Sequence, residues 1–458
     1  MPLSSTTTEE SNRPPLDKEG LQGGATTAGS AVSPSLCKEE ECHLQRRPGA
    51  CGNDFIPSPR LCLGVVCAAR LRRLDPHLRI AWLICLSFFI PGSASGEGSP
   101  VTVGVFSLFR PDRIEIKTQQ ETMVSIQGGT IEARRVLVEG QRLQVERFGE
   151  RLKAKVFERD GRLLYTHQAE SVRTQGSPCT LSIPGRIQRN FFGELEVVVR
   201  QGHLLPRIFV AEEVAVGQIL RSEMAECQEP EALKAQAILI RSYLRTSGRR
   251  HRKKDYDFCD TTHCQFFTGF REGRDRFQQA ALDSRGLILT FLGKPFQPLY
   301  TAACGGQTLE GFSGGDRSKQ GSGYLYRAVV CNFCSTHPLF AWETNVETKE
   351  LLRALKGDAH EDPAKTLASL AHPGDELELR ELKQKVRLRV GRCLGWNIIR
   401  SNRYTIETSL SSVSTSIKGH GSGHNLGLCQ AGAIELGRQG KNMTEILSFY
   451  FPGCRIEP

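Results

Sequence analysis

The chain lacks the sequence signatures of the common nucleotide- and nucleic-acid-binding folds. Its 458 residues contain no P-loop, no recognition helix and no RNA-binding aromatic motif. A formal net charge of +10 nevertheless favours polyanionic partners. The basic run over residues 249–254 is typical of a solvated loop. We therefore expect an anionic partner that is not a nucleic acid.

The apolar run at residues 80–90 is too short to cross a membrane. It has about eleven residues, whereas a spanning helix needs about 20. Basic residues precede it and small residues follow it, so residues 61–96 are predicted to be a signal-peptide-like export segment. The alternative is a buried core helix. Residues 1–60, rich in Ser, Thr, Gly and Pro, are predicted to be disordered or to precede the true start codon.

The remaining sequence predicts an α+β fold, an antiparallel β-rich scaffold with a helical layer. Hydrophobic content of 39% is ordinary for a globular protein and excludes wholesale disorder. Short alternating stretches predict strands over residues 97–210, which we assign to a β-rich N-terminal part. Helical periodicity follows at residues 212–224 and 230–244, within a core assigned to residues 211–458. The Leu-rich residues 349–385 are expected to be helical decoration.

Cysteine and histidine cluster at two places. His251, Cys259, His263 and Cys264 fall within fourteen positions, and two thiolates with two imidazoles suit a tetrahedral, structural Zn²⁺. The alternative is a disulfide between Cys259 and Cys264. A Cys-x-x-Cys motif at residues 331–334 has no thioredoxin-like surroundings. In an exported chain we expect a structural disulfide there, with Cys304 as a candidate partner, rather than a redox or zinc motif.

Glu223 ends the first predicted helix, and the residues alone predict a solvated surface side chain. The stretch at residues 216–224, with residues 230–237 and 241–243, resembles the signature of the stage II sporulation protein D and LytB family. A second resemblance is the Gly- and His-rich run at residues 419–433. It departs from the family pattern at Asn425, which replaces a glycine, and at Cys429, where serine is frequent. The resemblance extends over about residues 100–458.

The resemblance implies a peptidoglycan lytic transglycosylase, exported to the periplasm, cell wall or extracellular space. Such an enzyme cleaves glycan strands between N-acetylmuramic acid and N-acetylglucosamine and leaves a 1,6-anhydro end. Glu223 would be the single acid/base, in an apolar pocket formed by Ile219, Leu220 and Met224 that raises its pKa. Arg241 could orient substrate or form a structural ion pair, and His424 and Gln430 could line the cleft or pack a loop. The implied substrate-binding residues are Arg241, Thr262, Gln265, Gly305, His424 and Gln430.

Two other functions stay open at this point. LytB-type relatives suggest a non-catalytic enhancer of a partner cell-wall amidase. A thiol or zinc hydrolase of the peptide stems is the third possibility, with Cys264, Cys429, His420 and His424 as nucleophile and base candidates.

Overall fold

The computed structural model describes most of the chain downstream of residue 99. The described residues are 100–129, 131–176, 178–247, 250–270, 275–312, 324–356, 362–371, 377–407 and 412–458. They belong to one compact unit. The predicted leader at residues 1–60 and the export segment at 61–96 lie outside the described residues.

Strands occupy the N-terminal part, as predicted, because β-branched residues alternate with polar ones between turn residues. A seven-stranded sheet has the order β13-β1-β12-β11-β8-β3-β4, and a six-stranded sheet has the order β10-β9-β2-β5-β6-β7. The strands are β1 Val101–Gly104, β2 Arg113–Thr118, β3 Thr122–Gly128, β4 Ile131–Leu137, β5 Arg142–Phe148, β6 Arg151–Phe157, β7 Leu163–Ala169, β8 Ser171–Thr174, β9 Cys179–Ile183, β10 Ile187–Phe191, β11 Glu194–Arg200, β12 His203–Val210 and β13 Phe258–Cys259.

Helices follow the strands, so the predicted α+β class is confirmed. The first has acidic residues in its first turn, and the second begins with proline, both typical of helix starts. They are α1 Glu212–Glu223, α2 Pro230–Thr246, α3 Arg276–Asp283, α4 Thr348–Leu355, α5 Pro363–Ala371, α6 Leu377–Leu394, α7 Gln430–Arg438 and α8 Met443–Tyr450. Among the described helices, none has both the length and the apolar character that crossing a bilayer demands.

Short strands tie the downstream segments together. β14 pairs with β15 and β23, β16 with β22, β17 with β18, and β21 with β19 and β20. Their bounds are β14 Ile288–Phe291, β15 Lys294–Pro295, β16 Tyr300–Thr301, β17 Gly311–Phe312, β18 Leu325–Tyr326, β19 Ala341–Glu347, β20 Arg403–Glu407, β21 Ser414–His420, β22 Leu428–Cys429 and β23 Cys454–Glu457.

Two hydrophobic cores organise these elements. The larger one continues across residue 210, since it joins side chains of β1–β13 with those of α1, α2, α7 and α8. The smaller one joins the sheet β19-β21-β20 to α4, α5 and α6 and contains Leu351, Leu355, Leu367 and Leu370. The helical prediction for this Leu-rich segment is therefore confirmed.

Candidate active site

Glu223 lies at the C-terminal end of α1, where the chain segment 266–268 runs past the helix. The backbone N–H of Phe266 donates to Oε1 of Glu223 at 2.9 Å. The backbone N–H of Thr268 donates to the hydroxyl of Ser222 at 3.0 Å. Adjacent side chains of the helix thus bind two backbone amides of one extended segment. This arrangement fixes the position of the Glu223 carboxyl group.

The surroundings of Glu223 favour its protonated form. Burial raises the pKa of this carboxyl group, and hydrogen bonds from the Phe266 amide and the Tyr300 hydroxyl offset part of that rise. The pKa of Tyr300 is itself well above its ordinary value, mainly because its hydroxyl is removed from water. Tyr300 therefore stays protonated and can donate to the carboxylate. Sequence reasoning assigned no role to Tyr300.

The expected apolar pocket is built differently from the prediction. Ile219, Leu220 and Met224 are all buried in the core. None of them is among the residues that line the cleft in front of Glu223. Burial is the main cause of the raised Glu223 pKa, and these three side chains belong to the core and not to the lining of the cleft.

A cleft of about 900 Å³ opens in front of Glu223 and brings together four of the predicted binding residues. Thr262, Gln265, His424 and Gln430 all line it. Two further contributors were not predicted: a stretch around β16, and the end of α6 with the loop that follows. The additional lining residues are Tyr243, Arg250, His263, Cys264, Gln297, Pro298, Leu299, Tyr300, Thr301, Ala302, Leu339, Gln384, Arg387, Leu388, Trp396, Asn397, Arg400, Asn402, Ser422 and Gly423.

Several buried amide groups of the cleft have no hydrogen-bond partner. Both amide atoms of Gln265, Nε2 of Gln430 and Oδ1 of Asn402 are unpaired. Native proteins pair nearly all their buried polar groups, so unpaired ones in a cleft indicate where a polar ligand binds.

The charge of the cleft is positive. Three arginines line it, Arg250, Arg387 and Arg400. Among the residues described as lining the cleft, Glu223 is the only carboxylic acid. The cleft therefore suits a polar ligand that carries negative charge.

His424 has its ring nitrogens occupied by the protein. Nδ1 accepts the backbone N–H of Leu426 at 3.0 Å. Burial lowers the pKa of this imidazole to about 4, although a hydrogen bond with the backbone of Tyr300 opposes the shift. His424 is therefore neutral at neutral pH and holds its loop against β16. This contact supports the loop-packing alternative for a residue that also lines the cleft.

Arg241 does not reach the cleft, which corrects its predicted role in substrate binding. Its side chain is 0% exposed and binds both carboxylate oxygens of Glu213, at 2.8 and 2.5 Å. It also donates to the backbone oxygens of Leu287 and Ala281, at 2.9 and 3.0 Å. Arg241 is thus a structural residue that holds α1, α2 and α3 together.

Gly305, also predicted to bind substrate, is not among the described residues that line the cleft. Its φ is +68°, and a Cβ there would lie 2.4 Å from the backbone nitrogen of Gly421. Glycine is required because the Gly- and His-rich turn packs directly on this backbone. Asn425 in that turn has a φ of 61°, a left-handed conformation that Asn adopts more readily than most residues.

The predicted Cys/His constellation forms a compact cluster beside the cleft. The ligand atoms of His251, Cys259, His263 and Cys264 all lie within 4.8 Å of one another. His263 Nδ1 is 3.2 Å from His251 Nε2, 3.7 Å from Cys259 Sγ and 3.6 Å from Cys264 Sγ. Tetrahedral zinc bonds of about 2.0–2.1 Å to nitrogen and 2.3 Å to sulfur give edges of about 3.3 Å between nitrogens and 3.6 Å between nitrogen and sulfur. The donor set therefore fits zinc, and both cysteines are free thiols.

The N-terminal sheet supports this loop. β13 pairs in parallel with β1, and the carboxylate of Asp257 accepts the backbone N–H of Thr102 at 2.9 Å. The buried carboxylate of Asp260 accepts the N–H of Phe106 and a guanidinium N–H of Arg189, both at 2.9 Å. The β-rich part thus acts as a scaffold for the cleft.

The two thiols proposed as nucleophiles for peptide-stem hydrolysis are both engaged. Cys264 belongs to the Cys/His cluster, and Cys429 is 0% exposed. His420 is exposed but does not line the cleft with Glu223. The structure therefore gives no support to a thiol hydrolase.

Comparisons with known proteins agree with the geometry. Residues 210–291 match the sequence profile of the family described as Stage II sporulation protein, SpoIID. The chain is 28% identical over 245 residues to an uncharacterized protein of Brachyspira hyodysenteriae, covering 52% of this chain and 64% of that protein, which is less than two thirds of its length. It is 22% identical over 271 residues to proteins named Stage II sporulation protein D from Bacillus amyloliquefaciens and Bacillus subtilis. These matches cover 54% of this chain and 73% and 74% of the two Bacillus proteins.

Proposed function

Because residues 210–291 carry a domain of the stage II sporulation protein D family, we propose that the chain is an exported cell-wall enzyme, a lytic transglycosylase of peptidoglycan. The observation that supports this most is that Glu223 is the only carboxylic acid among the described residues that line the cleft. Most glycosidases need two carboxylates, one as acid and one as base or nucleophile. A lytic transglycosylase needs only one, because the substrate supplies its own nucleophile.

The proposed reaction begins with Glu223 protonated. The carboxyl group donates its proton to the glycosidic oxygen as the bond to the anomeric carbon of N-acetylmuramic acid breaks. The resulting carboxylate then accepts the proton of the C6 hydroxyl, whose oxygen attacks the same carbon. A 1,6-anhydro ring forms, N-acetylglucosamine leaves with a free hydroxyl, and Glu223 regains its proton. No water is consumed.

The surroundings of Glu223 suit both halves of this cycle. Its raised pKa keeps a proton available for the first step. Hydrogen bonds from the Phe266 amide and Tyr300 hydroxyl stabilise the carboxylate that forms next. The unpaired amides of Gln265 and Gln430 would bind polar groups of the sugars. The three arginines of the cleft would attract the acidic groups of the polymer.

A zinc ion in the Cys/His cluster would brace the loop that carries Thr262 and Gln265. His251, Cys259, His263 and Cys264 would hold it and fill its four coordination positions, as in structural sites. The proton transfers described above depend on Glu223 alone.

The test is the Glu223→Gln variant on purified peptidoglycan glycan. Removal of a general acid/base costs about 10²–10⁴-fold in rate, so release of 1,6-anhydro products should fall by that factor. Glu226→Gln is the matched control, since Glu226 is exposed and three residues further on. Release of 1,6-anhydro products by Glu223→Gln at the wild-type rate would refute the proposal. If neither protein cleaves glycan but both stimulate a partner amidase, the enhancer function replaces it.

A further inference from the structure

A second thiol cluster lies in the core behind the cleft. Cys304, Cys331, Cys334 and Cys429 come from four positions between residues 304 and 429, and their Sγ atoms all lie within 4.8 Å of one another. Each side chain is at most 1% exposed. All four are free thiols, and the sulfurs of Cys304 and Cys334 are 3.5 Å apart. The disulfide expected for this motif is therefore not formed.

The spacing of the sulfurs fits one tetrahedral metal ion. Zinc–sulfur bonds of about 2.3 Å place four thiolates about 3.8 Å apart at the corners of a tetrahedron. A disulfide would bring two sulfurs to about 2.05 Å and leave two separate pairs. An iron–sulfur cluster binds its cysteines through different iron atoms and spreads their sulfurs further apart. Four mutually close sulfurs therefore favour a mononuclear site.

Hydrogen bonds from neighbouring groups fix the positions of the sulfurs. Cys429 Sγ accepts the backbone N–H of Cys304 at 3.2 Å and that of Gly432 at 3.4 Å. Cys429 also caps the N-terminus of α7, where the helix dipole stabilises negative charge. The hydroxyl of Tyr450 lies 3.2 Å from Cys331 Sγ. Such backbone and side-chain contacts orient the ligands of metal sites.

We propose that Cys304, Cys331, Cys334 and Cys429 bind a second structural zinc ion. This ion stabilises the part of the cleft that contains Tyr300 and Gln430. The ion joins three segments: the chain after β16, the turn Asn332–Cys334, and the junction of β22 with α7. β16 carries Tyr300, and α7 begins with Gln430. Thr301 lies opposite Cys429 in the parallel pair β16–β22. Zinc at this point therefore fixes the position of Tyr300, which contacts Glu223, and of Gln430, whose amide lines the cleft.

The test measures metal and does not depend on any catalytic activity. The full chain is expressed with zinc, purified with a thiol reductant and analysed for metal content. We expect two zinc ions per chain, and one in the double variant Cys259→Ser/Cys264→Ser. X-ray absorption at the zinc edge of that double variant should show four sulfur ligands at about 2.3 Å.

Three results would overturn the proposal. The first is a double variant that contains no zinc. The second is zinc in that variant with nitrogen or oxygen ligands. The third is iron with acid-labile sulfide in the buried cluster. If the double variant contains no zinc, alkylation of the unfolded protein without reductant tells a disulfide from free thiols, because only the free thiols are modified. Since this variant keeps the buried cluster intact, the result does not require a cluster mutant to fold.

A cluster variant gives an independent check. Cys334→Ser should contain one zinc ion fewer than the wild type and show lower thermal stability. Cys179→Ser is the matched control, because Cys179 is equally buried but belongs to neither cluster. Equal zinc content in Cys334→Ser and wild type would contradict the proposal.

Discussion

The cleft has two linings that differ in how the sequence specifies them. The N-terminal lining consists of Glu223, Tyr243, Arg250 and residues 262–265, and it lies within the region that matches the family profile. The C-terminal lining consists of residues 297–302, 384–402 and 422–430, and it lies outside that region. The N-terminal lining carries Glu223, and the C-terminal lining carries Tyr300, whose hydroxyl donates a hydrogen bond to the Glu223 carboxyl group. Each lining has its own cluster of cysteines. The Cys/His cluster lies beside the N-terminal lining, and the buried cluster of four cysteines lies next to the C-terminal lining.

The N-terminal lining depends on the buried ion pair between Arg241 and Glu213. Arg241→Ala should lower the free energy of unfolding by about 3–5 kcal/mol, because it leaves a largely buried carboxylate without its partner. Urea unfolding measures this. Arg151→Ala is the control, with a smaller loss, since both Arg151 and its ion-pair partner Glu170 are more than half exposed. A raised KM with unchanged stability would instead return Arg241 to substrate binding.

The contact between the linings is tested by Tyr300→Phe. The carboxyl group of Glu223 loses one of its two orienting hydrogen bonds, each worth about 1–1.5 kcal/mol, so kcat should fall about ten-fold. The lost hydrogen bond had lowered the pKa of Glu223, so this pKa should rise. Because the first step needs the protonated acid, the alkaline limb of the pH–rate profile should move to higher pH.

Tyr324→Phe provides the control for the loss of a tyrosine hydroxyl. Its hydroxyl contacts the backbone of Pro452, away from the cleft. This variant should keep the wild-type pH–rate profile. An unshifted profile in Tyr300→Phe would show that the linings act independently.

The loop that follows α6 in the C-terminal lining is tested by Trp396→Ala. This indole is 52% exposed at the cleft and has the guanidinium of Arg387 5.6 Å from its ring centre. Loss of an aromatic surface for a sugar ring should raise KM several-fold and change kcat little. Phe148→Ala is the control, because Phe148 is equally exposed but lies on β5 of the six-stranded sheet. Equal KM values for wild type and Trp396→Ala would limit this segment to a structural role.

The same contrast explains what could be predicted from the sequence. His251, Cys259, His263 and Cys264 are close in sequence, so their spacing alone predicted a cluster that the structure confirms. The cysteines of the buried cluster span residues 304–429 and meet through long-range pairing, namely that of β16 with β22 and the bridge between Gln307 and Val330. No local pattern encodes that pairing.

Single residues show the same limit. Helical periodicity predicted α2 but could not show whether Arg241 faced the cleft or Glu213. Tyr300 lies on β16, and its contact with Glu223 depends on packing between segments that are distant in the sequence. The Leu-rich residues were predicted as helical decoration. The helices are confirmed, but α6 and the loop after it also line the cleft, so decoration was too narrow a description.

The central claim is that Glu223 cleaves glycan without water. The most direct measurement is mass spectrometry of the products from a defined glycan strand digested in heavy-oxygen water. If Glu223 acts as proposed, every new N-acetylmuramic acid end is a 1,6-anhydro end, lighter than a hydrolytic end by one water and free of heavy oxygen. Reducing ends that carry the heavy isotope would show hydrolysis and contradict the account.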